Sequence, residues 1–510
     1  MIISRPSIFT TLTKGLARLP LWLLVLLSLV GYGLLALWFP LLPNYDHAPL
    51  LDIRSFTPSM PAGIAYGFLI CSLFGLFILA FRCVRRSSRP LGLLPTLGVS
   101  SLLALPLLIA YPINANDIYR YVIRGRITNI YGENPFTIAP AAHPEDPFLP
   151  LAGEWAAETS PYGPMWELVA SGITAVTGDD LLLGLLSFKI LILLAFVGTI
   201  VVLWTLLRSP GVIKAPNEMR EVLVERSANT VLWAWNPALL LIFMVNGHND
   251  ALMIFWLLLG LLVMQRGFPA FGFLLMLLGA LTKPIGILAL PMFFVSALRD
   301  SRSVLERVRF VFAAVAGGLL LILLLFLPFG SPVELVQRLM REAGAGGGFS
   351  PAVLALLLAQ NDGIELTAGS IARLASFLFV LFAIFVLWLL GRTWQGRSPI
   401  RGTADIFFGY LAQALNYRIW YAAWPFPWLL LDAASKPENQ SAAFRLHYGL
   451  WFLLTSQLSV LIYGHVRIYA LGGSQLLAHL LGVGFTFTAP LFLAWLSKGG
   501  RQLIAGDESA

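Results

Sequence analysis

The sequence predicts an all-α fold, a polytopic transmembrane helical bundle, and three observations carry that prediction. Of the 510 residues, 58% are hydrophobic and only 12% are charged, whereas a soluble domain carries about a quarter charged residues. Mean hydropathy is +0.79. Apolar runs such as Leu19 to Leu42, Ala62 to Val84 and Leu181 to Leu207 approach or exceed the roughly 20 residues that cross a bilayer as helix. Between such runs lie short basic clusters: Arg5, Lys14 and Arg18; Arg82, Arg85, Arg86 and Arg89; Arg208, Lys214, Arg220 and Arg226; Arg299, Arg302, Arg307 and Arg309. The net charge of +8 is thus spread as topology signals rather than gathered in one basic domain, and no nucleic-acid partner is expected.

The first apolar run is too long, and too poor in small residues at its end, for a cleaved signal peptide, so it reads as a retained helix. Setting the basic clusters in the cytoplasm gives about fourteen helices. They are expected near residues 19 to 42, 62 to 84, 91 to 112, 181 to 207, 229 to 245, 250 to 265, 268 to 282, 284 to 298, 310 to 328, 373 to 391, 403 to 416, 424 to 434, 446 to 464 and 474 to 497. Both termini are then cytoplasmic, and roughly two thirds of the Lys and Arg lie inside. Cys71 and Cys83 fall within or at the end of one apolar segment and read as small core residues.

Two longer polar segments, 113 to 180 and 329 to 372, fall outside on this topology. Loops beyond about 12–15 residues are usually functional or disordered. The first is rich in Tyr, Trp and Phe, and Met165 to Val176 reads as a helix too short to cross, lying along the interface. The second holds Gly344 to Gly348, which no strand precedes and no Lys-Ser/Thr follows, so it is not a P-loop. It is expected to be mobile near a substrate entrance.

Side chains able to do chemistry gather in these outer segments. At helical spacing Asp117, Arg120, Tyr121 and Arg124 share a face. A carboxylate there can take a hydroxyl proton while guanidinium groups hold a departing phosphate, although an Asp117 to Arg120 pair at i, i+3 is also an ordinary surface ion pair. His248, Asn249 and Asp250 sit at the outer end of a hairpin. They read either as a solvated, helix-capping turn or as an imidazole held beside a carboxylate to bind phosphate or a sugar hydroxyl. Lys283 interrupts an apolar stretch, either snorkelling to the surface or binding phosphate in a polar cavity. Tyr417, Arg418, Trp420, Tyr421, Trp424 and Trp428 form an aromatic outer segment suited to the headgroup level. Arg418 there is a further phosphate candidate, and the rings could stack on sugar.

The order of blocks adds a resemblance. Asn116 to Arg126, followed by Tyr131-Gly132-Glu133-Asn134-Pro135-Phe136, resembles the D-x-Y-R-Y-x-W-D-G-R…G-x-N-P-Y pattern of bacterial GT-C glycosyltransferases that use polyprenyl-phosphate sugars, mannosyltransferases especially. Ser160-Pro161-Tyr162-Gly163-Pro164, Asn236-Pro237, Asn246 to Ala251, Leu281-Thr282-Lys283-Pro284 and Trp424 to Leu430 follow in order, so the likeness runs from about residue 110 to 435. The second acid of the pattern is missing: Arg124 stands in its place.

The resemblance implies a GT-C-like bundle with interfacial helices in a large first catalytic external loop, 113 to 180. It implies a glycosyltransferase of a bacterial cytoplasmic (inner) membrane, working on the outer face. A sugar, mannose first, would pass from a polyprenyl-phosphate donor to a hydroxyl of a glycan or glycolipid acceptor, with inversion. Asp117 is the implied general base. Arg120, Arg124, His248, Lys283 and Arg418 are expected on the donor phosphate, and Tyr121, Tyr162, Asn249, Asp250 and Trp424 around the substrates. No metal site is expected from the sequence. A divalent metal stays possible through Asp117 and a distant acid such as Asp250. The expected organisation is a cytoplasmic tail and two added helices in 1–90, a catalytic region in 91–435, and further helices with a short tail in 436–510. A transporter or flippase of lipid-linked sugars is the alternative; it predicts repeated halves and charges at mid-membrane, where Lys189 is the clearest case.

Overall fold

The computed structural model describes residues 19–207, 216–343, 347–435 and 439–505. Arg5, Lys14, Arg18, Arg208 and Lys214 of the basic clusters, and Gly344 to Gly346, lie outside the described residues. Helices stand at every expected place, and among the described residues there is no β-strand. Among the described residues, seven helices are long and apolar enough to cross a membrane, or eight if the bent pair Met219–Ala234 and Pro237–Val245 counts as one span.

The remaining expected spans are shorter. Leu93–Leu108, Asp250–Gln265 and Pro269–Thr282 have 16, 16 and 14 residues, and at 1.5 Å per residue such helices fall short of a hydrocarbon layer about 30 Å thick. Their length is limited by what surrounds the polar blocks. Asp250–Gln265 and Pro269–Thr282 pack backbone to backbone, because a Cβ on Gly260 would stand 2.5 Å from the Gly272 carbonyl oxygen. Between Pro216–Ala234 and the buried His248, the chain passes through a break at Asn236-Pro237 and a π-helical turn, Leu241–Val245, a local irregularity common at functional sites.

The loop 113 to 180 is ordered by its own small and aromatic residues. Asp117–Asn129 is a helix, and Pro164–Thr177 crosses it so closely that a Cβ on Gly125 would sit 2.4 Å from the Ala170 carbonyl oxygen. The buried face of Pro164–Thr177 includes Trp166, Glu167, Ala170 and Thr174. Gly163 donates its N–H to the Thr282 carbonyl at 3.1 Å. That contact locks Tyr162 beside the end of Pro269–Thr282, where Lys283 begins.

The second long polar segment also contains helices, Val333–Ala343 and Pro351–Asn361. Asn134 ties the two segments together, donating its side-chain amide to the Phe329 carbonyl at 2.7 Å. Where the Gly-rich stretch re-enters the described residues, Gly348 is held against Leu415, its N–H 2.9 Å from that carbonyl. A Cβ there would lie 2.4 Å from the Tyr417 nitrogen.

Candidate active site

The polar blocks converge. Asp117 opens its helix with its carboxylate buried, and Oδ1 accepts two hydrogen bonds, from the Tyr162 hydroxyl at 2.6 Å and from Arg120 Nη1 at 3.1 Å. Its other oxygen, Oδ2, faces His248 Nδ1 at 3.5 Å. Asp250 lies beyond the same imidazole, its Oδ2 4.0 Å from Nδ1. Asp250 Oδ2 accepts from Lys283 Nζ at 2.7 Å, and Oδ1 accepts from the Trp424 indole. Five separate stretches of chain thus meet at two carboxylates and one histidine.

The arrangement settles the bland alternatives. Asp117 and Arg120 do not form a surface pair, since their side chains are 11% and 14% exposed. The turn at His248, Asn249 and Asp250 is not solvated: all three residues are fully buried. Asn249 makes no side-chain cap. Lys283 does not snorkel outward; it pairs with Asp250, with the rings of Tyr421 and Trp424 at 5.5 and 5.8 Å.

Burial alone would raise the Asp117 carboxyl, but Arg120, His248, the Tyr162 hydrogen bond and Lys283 outweigh it and hold the group well below the usual carboxylate range. Burial acts in the opposite sense on His248, pushing it down to about 4, so at neutral pH the imidazole is uncharged. The cations acting on Asp117 there are Arg120 and Lys283.

Around this core, several buried polar atoms have no hydrogen-bond partner among the described residues: both ring nitrogens of His248, both amide atoms of Asn249, Nε of Arg120, and Nε and Nη1 of Arg124. Left unmet, each costs about 1–3 kcal/mol. Buried groups of this kind call for water, an ion or a ligand as partner.

Tyr121, on the expected face, takes the Asn249 N–H on its hydroxyl at 3.3 Å and packs its ring on Trp166 at 4.7 Å and Tyr162 at 5.2 Å. Arg124 bends behind the site, donating to the Glu158 and Thr159 carbonyls at 3.4 and 3.3 Å and lying 5.5 Å from the Tyr162 ring. Arg418 does not join the cluster; it reaches the Gly347 carbonyl at 3.3 Å and the Phe349 ring.

Neighbours that motif reading did not single out complete the wall. Trp420 stacks on His248 with 4.4 Å between ring centres, Trp155 lies under Arg120 at 4.3 Å, and buried Glu167 accepts the Ser160 hydroxyl at 2.5 Å. Trp420 was visible as part of an aromatic run. Glu167, seven residues after Ser160, carried no signal short of the fold. Among the described residues no group of three or more His, Cys, Asp or Glu side chains is placed to hold a metal ion.

Residues 23–299, more than half of the chain, match the family described as alpha-(1->6)-mannopyranosyltransferase, N-terminal domain. The chain belongs to this family. The matched region takes in the first two spans and every core group from Asp117 to Lys283; Arg418 and Trp424 lie beyond it.

Among curated relatives, alpha-(1->6)-mannopyranosyltransferase A of Corynebacterium glutamicum is 29% identical over 195 residues, covering 37% of this chain and 36% of that protein. The protein of the same name in Mycobacterium tuberculosis is 25% identical over 226 residues, 43% of this chain and 41% of its own length. Alpha-(1->6)-mannopyranosyltransferase B of C. glutamicum is 28% identical over 169 residues, 32% and 25%. The chain therefore spans well under half the length of the curated relatives it matches.

Proposed function

We propose that this chain is an inverting membrane mannosyltransferase that moves mannose from a polyprenyl-phosphate donor to an acceptor hydroxyl, with Asp117 as general base. The observation that carries the reading is the asymmetry of the Asp117 carboxylate. Oδ1 is committed to Tyr162 and Arg120, while Oδ2 is left toward His248 at a distance too long for a good hydrogen bond. An acceptor hydroxyl brought to Oδ2 gives up its proton as its oxygen attacks the anomeric carbon. The bond from that carbon to the phosphate oxygen breaks on the opposite side, so one in-line displacement inverts the centre. A carboxylate held so acidic is a weak base at rest. It becomes competent as the attacking oxygen turns acidic in the transition state.

The phosphate gains negative charge as it leaves, and preorganised cations at that point lower the barrier. Lys283 and the Arg120 guanidinium, whose Nε is unpartnered among the described residues, are the groups we assign to it; Arg124, turned behind the site, is not. His248 and Asn249, buried with open polar atoms, are assigned to sugar hydroxyls, and Trp420 and Trp424 to the walls. Arg418 is assigned to loop anchoring instead. A lipid donor is supported by the absence, among the described residues, of any strand from which a nucleotide-binding sheet could be built. The site is assigned to the outer face on the charge bias of the sequence.

The flippase alternative loses its main support, because Lys189 spends its ammonium on the carbonyls of Ala110 and Leu107, at 2.6 and 3.3 Å, at the end of the Leu93–Leu108 helix. The experiment is transfer by purified protein in proteoliposomes, offered labelled polyprenyl-phosphate mannose or a mannose nucleotide. Product from the lipid donor alone is expected. Product from the nucleotide, or movement of lipid-linked sugar across the bilayer without transfer, overturns the reading.

A further inference from the structure

The Val333–Ala343 helix turns the wrong face inward for a helix in water. Its inner side carries Leu335, packed among Phe136, Leu281, Phe326 and Phe329, together with Arg338, which is only 5% exposed. Its outer side carries Val333, Val336 and Met340, exposed by 51%, 56% and 69%. Spaced i, i+3 and i+7, these three form one stripe. Gln337 and Arg341 border the stripe and are also exposed. That is the layout of a helix lying in a membrane interface, where polar side chains flank the buried apolar strip. The helix begins soon after the Val304–Phe326 span, whose Leu320, Leu323 and Leu324 are likewise exposed, as is Leu327 just past its end. Exposed apolar side chains thus occur on a membrane-crossing helix and again on the short helix that follows it in the chain.

The inner face reaches the site. Arg338 Nε donates to the Thr159 carbonyl at 3.3 Å, and Nη2 pairs with Glu158 at 3.4 Å. Arg124 also donates to the Thr159 carbonyl, and to the Glu158 backbone carbonyl. The stretch 158–159 is thus gripped between a guanidinium of the Asp117 helix and one of the Val333–Ala343 helix, and three residues further on Tyr162 holds Asp117.

We infer that Val333, Val336 and Met340 dock this helix on the acyl chains of the leaflet nearest the site, so that the bilayer itself presses Arg338 onto the 158–162 stretch. Lipid is the occupant because the helix follows a membrane-crossing span directly in the chain and carries an exposed apolar stripe bordered by polar side chains. The docking stands on its own, while a catalytic consequence rests on the function proposed above; the experiment therefore reads no sugar transfer.

In a Cys71→Ser, Cys83→Ser background, a bimane label is placed at Met340→Cys, with Leu323→Cys on the span as reference, and the protein is reconstituted in nanodiscs. Brominated acyl chains are expected to quench the Met340→Cys label as strongly as the Leu323→Cys label, and aqueous iodide to quench neither. Quenching at Met340→Cys by iodide and not by brominated lipid overturns the docking. The coupling is read by hydrogen exchange of the same nanodisc preparations. Val336→Asp is expected to speed exchange across 158–162 while leaving the Met60–Arg86 span unchanged. Unchanged exchange across 158–162 overturns the coupling.

Discussion

Asp117 and Asp405 both sit among arginines inside the bundle, yet they are used differently. Asp405 is met on both oxygens, by Arg445 and by Arg397. Its neighbour Asp432 is met by Arg445 at 3.2 Å and by Arg401 at 3.8 Å. This group ties the Pro399–Gln413, Phe426–Ser435 and Gln440–Leu461 helices together, with each acid shared by two guanidinium groups. At Asp117 one oxygen is taken and the other left to a neutral imidazole, and the unpartnered atoms of His248, Asn249, Arg120 and Arg124 surround it. A carboxylate with both oxygens held is a strut. One with an oxygen left open, in a setting that keeps it ionised, is equipped to accept a proton.

That contrast can be broken or sharpened by substitution, and among the groups around Asp117 the largest effect is expected at Asp250. Asp250→Asn removes the charge that fixes Lys283 and is expected to lower transfer roughly 100-fold, as a displaced catalytic group does, in a radiolabel assay. Tyr162→Phe deletes a hydrogen bond to a charged group, worth about 1.5–3 kcal/mol. We expect kcat/KM to fall roughly 10- to 100-fold.

The pH profile carries a sign. With Asp117 held below the usual range and His248 at about 4, wild-type activity is expected to stay flat from pH 7 down to about 5. Arg120→Gln removes a group that lowers the Asp117 carboxyl, so the pKa rises and the acid limb of kcat/KM moves to higher pH. An unmoved limb would separate Arg120 from the base. Asp405→Ala should leave specific activity unchanged while lowering stability by about 1–3 kcal/mol, read as a lower melting temperature. Arg418→Gln is expected to change kcat/KM least of all, because its partner is a loop carbonyl.

Much of the site was legible in the sequence because polar residues in apolar chain must find partners, and the blocks Asn116 to Arg126, Asn246 to Ala251 and Leu281 to Pro284 are such interruptions. The helices were legible for the converse reason, since runs of the length of Leu181–Leu206 have no other stable use. Depth was not legible. His248 at a hairpin end looked able to reach water, and only the packing of Trp420 and Tyr121 over that turn shows it buried. Which arginine faces which partner was equally hidden. Arg120 and Arg124 lie one turn apart on one face, but backbone carbonyls at 158–159 pull Arg124 behind the site. Asp250, the distant acid that the sequence could name but not place, lies across His248 from Asp117.

The most direct test of the central claim is single-turnover transfer from polyprenyl-phosphate mannose in proteoliposomes, wild type against Asp117→Asn. Asn keeps the shape and can still accept the Tyr162 hydrogen bond, so an unchanged melting temperature is expected with a rate lower by at least about 100-fold. A folded Asp117→Asn protein that transfers mannose at the wild-type rate would contradict the assignment of Asp117 as the base.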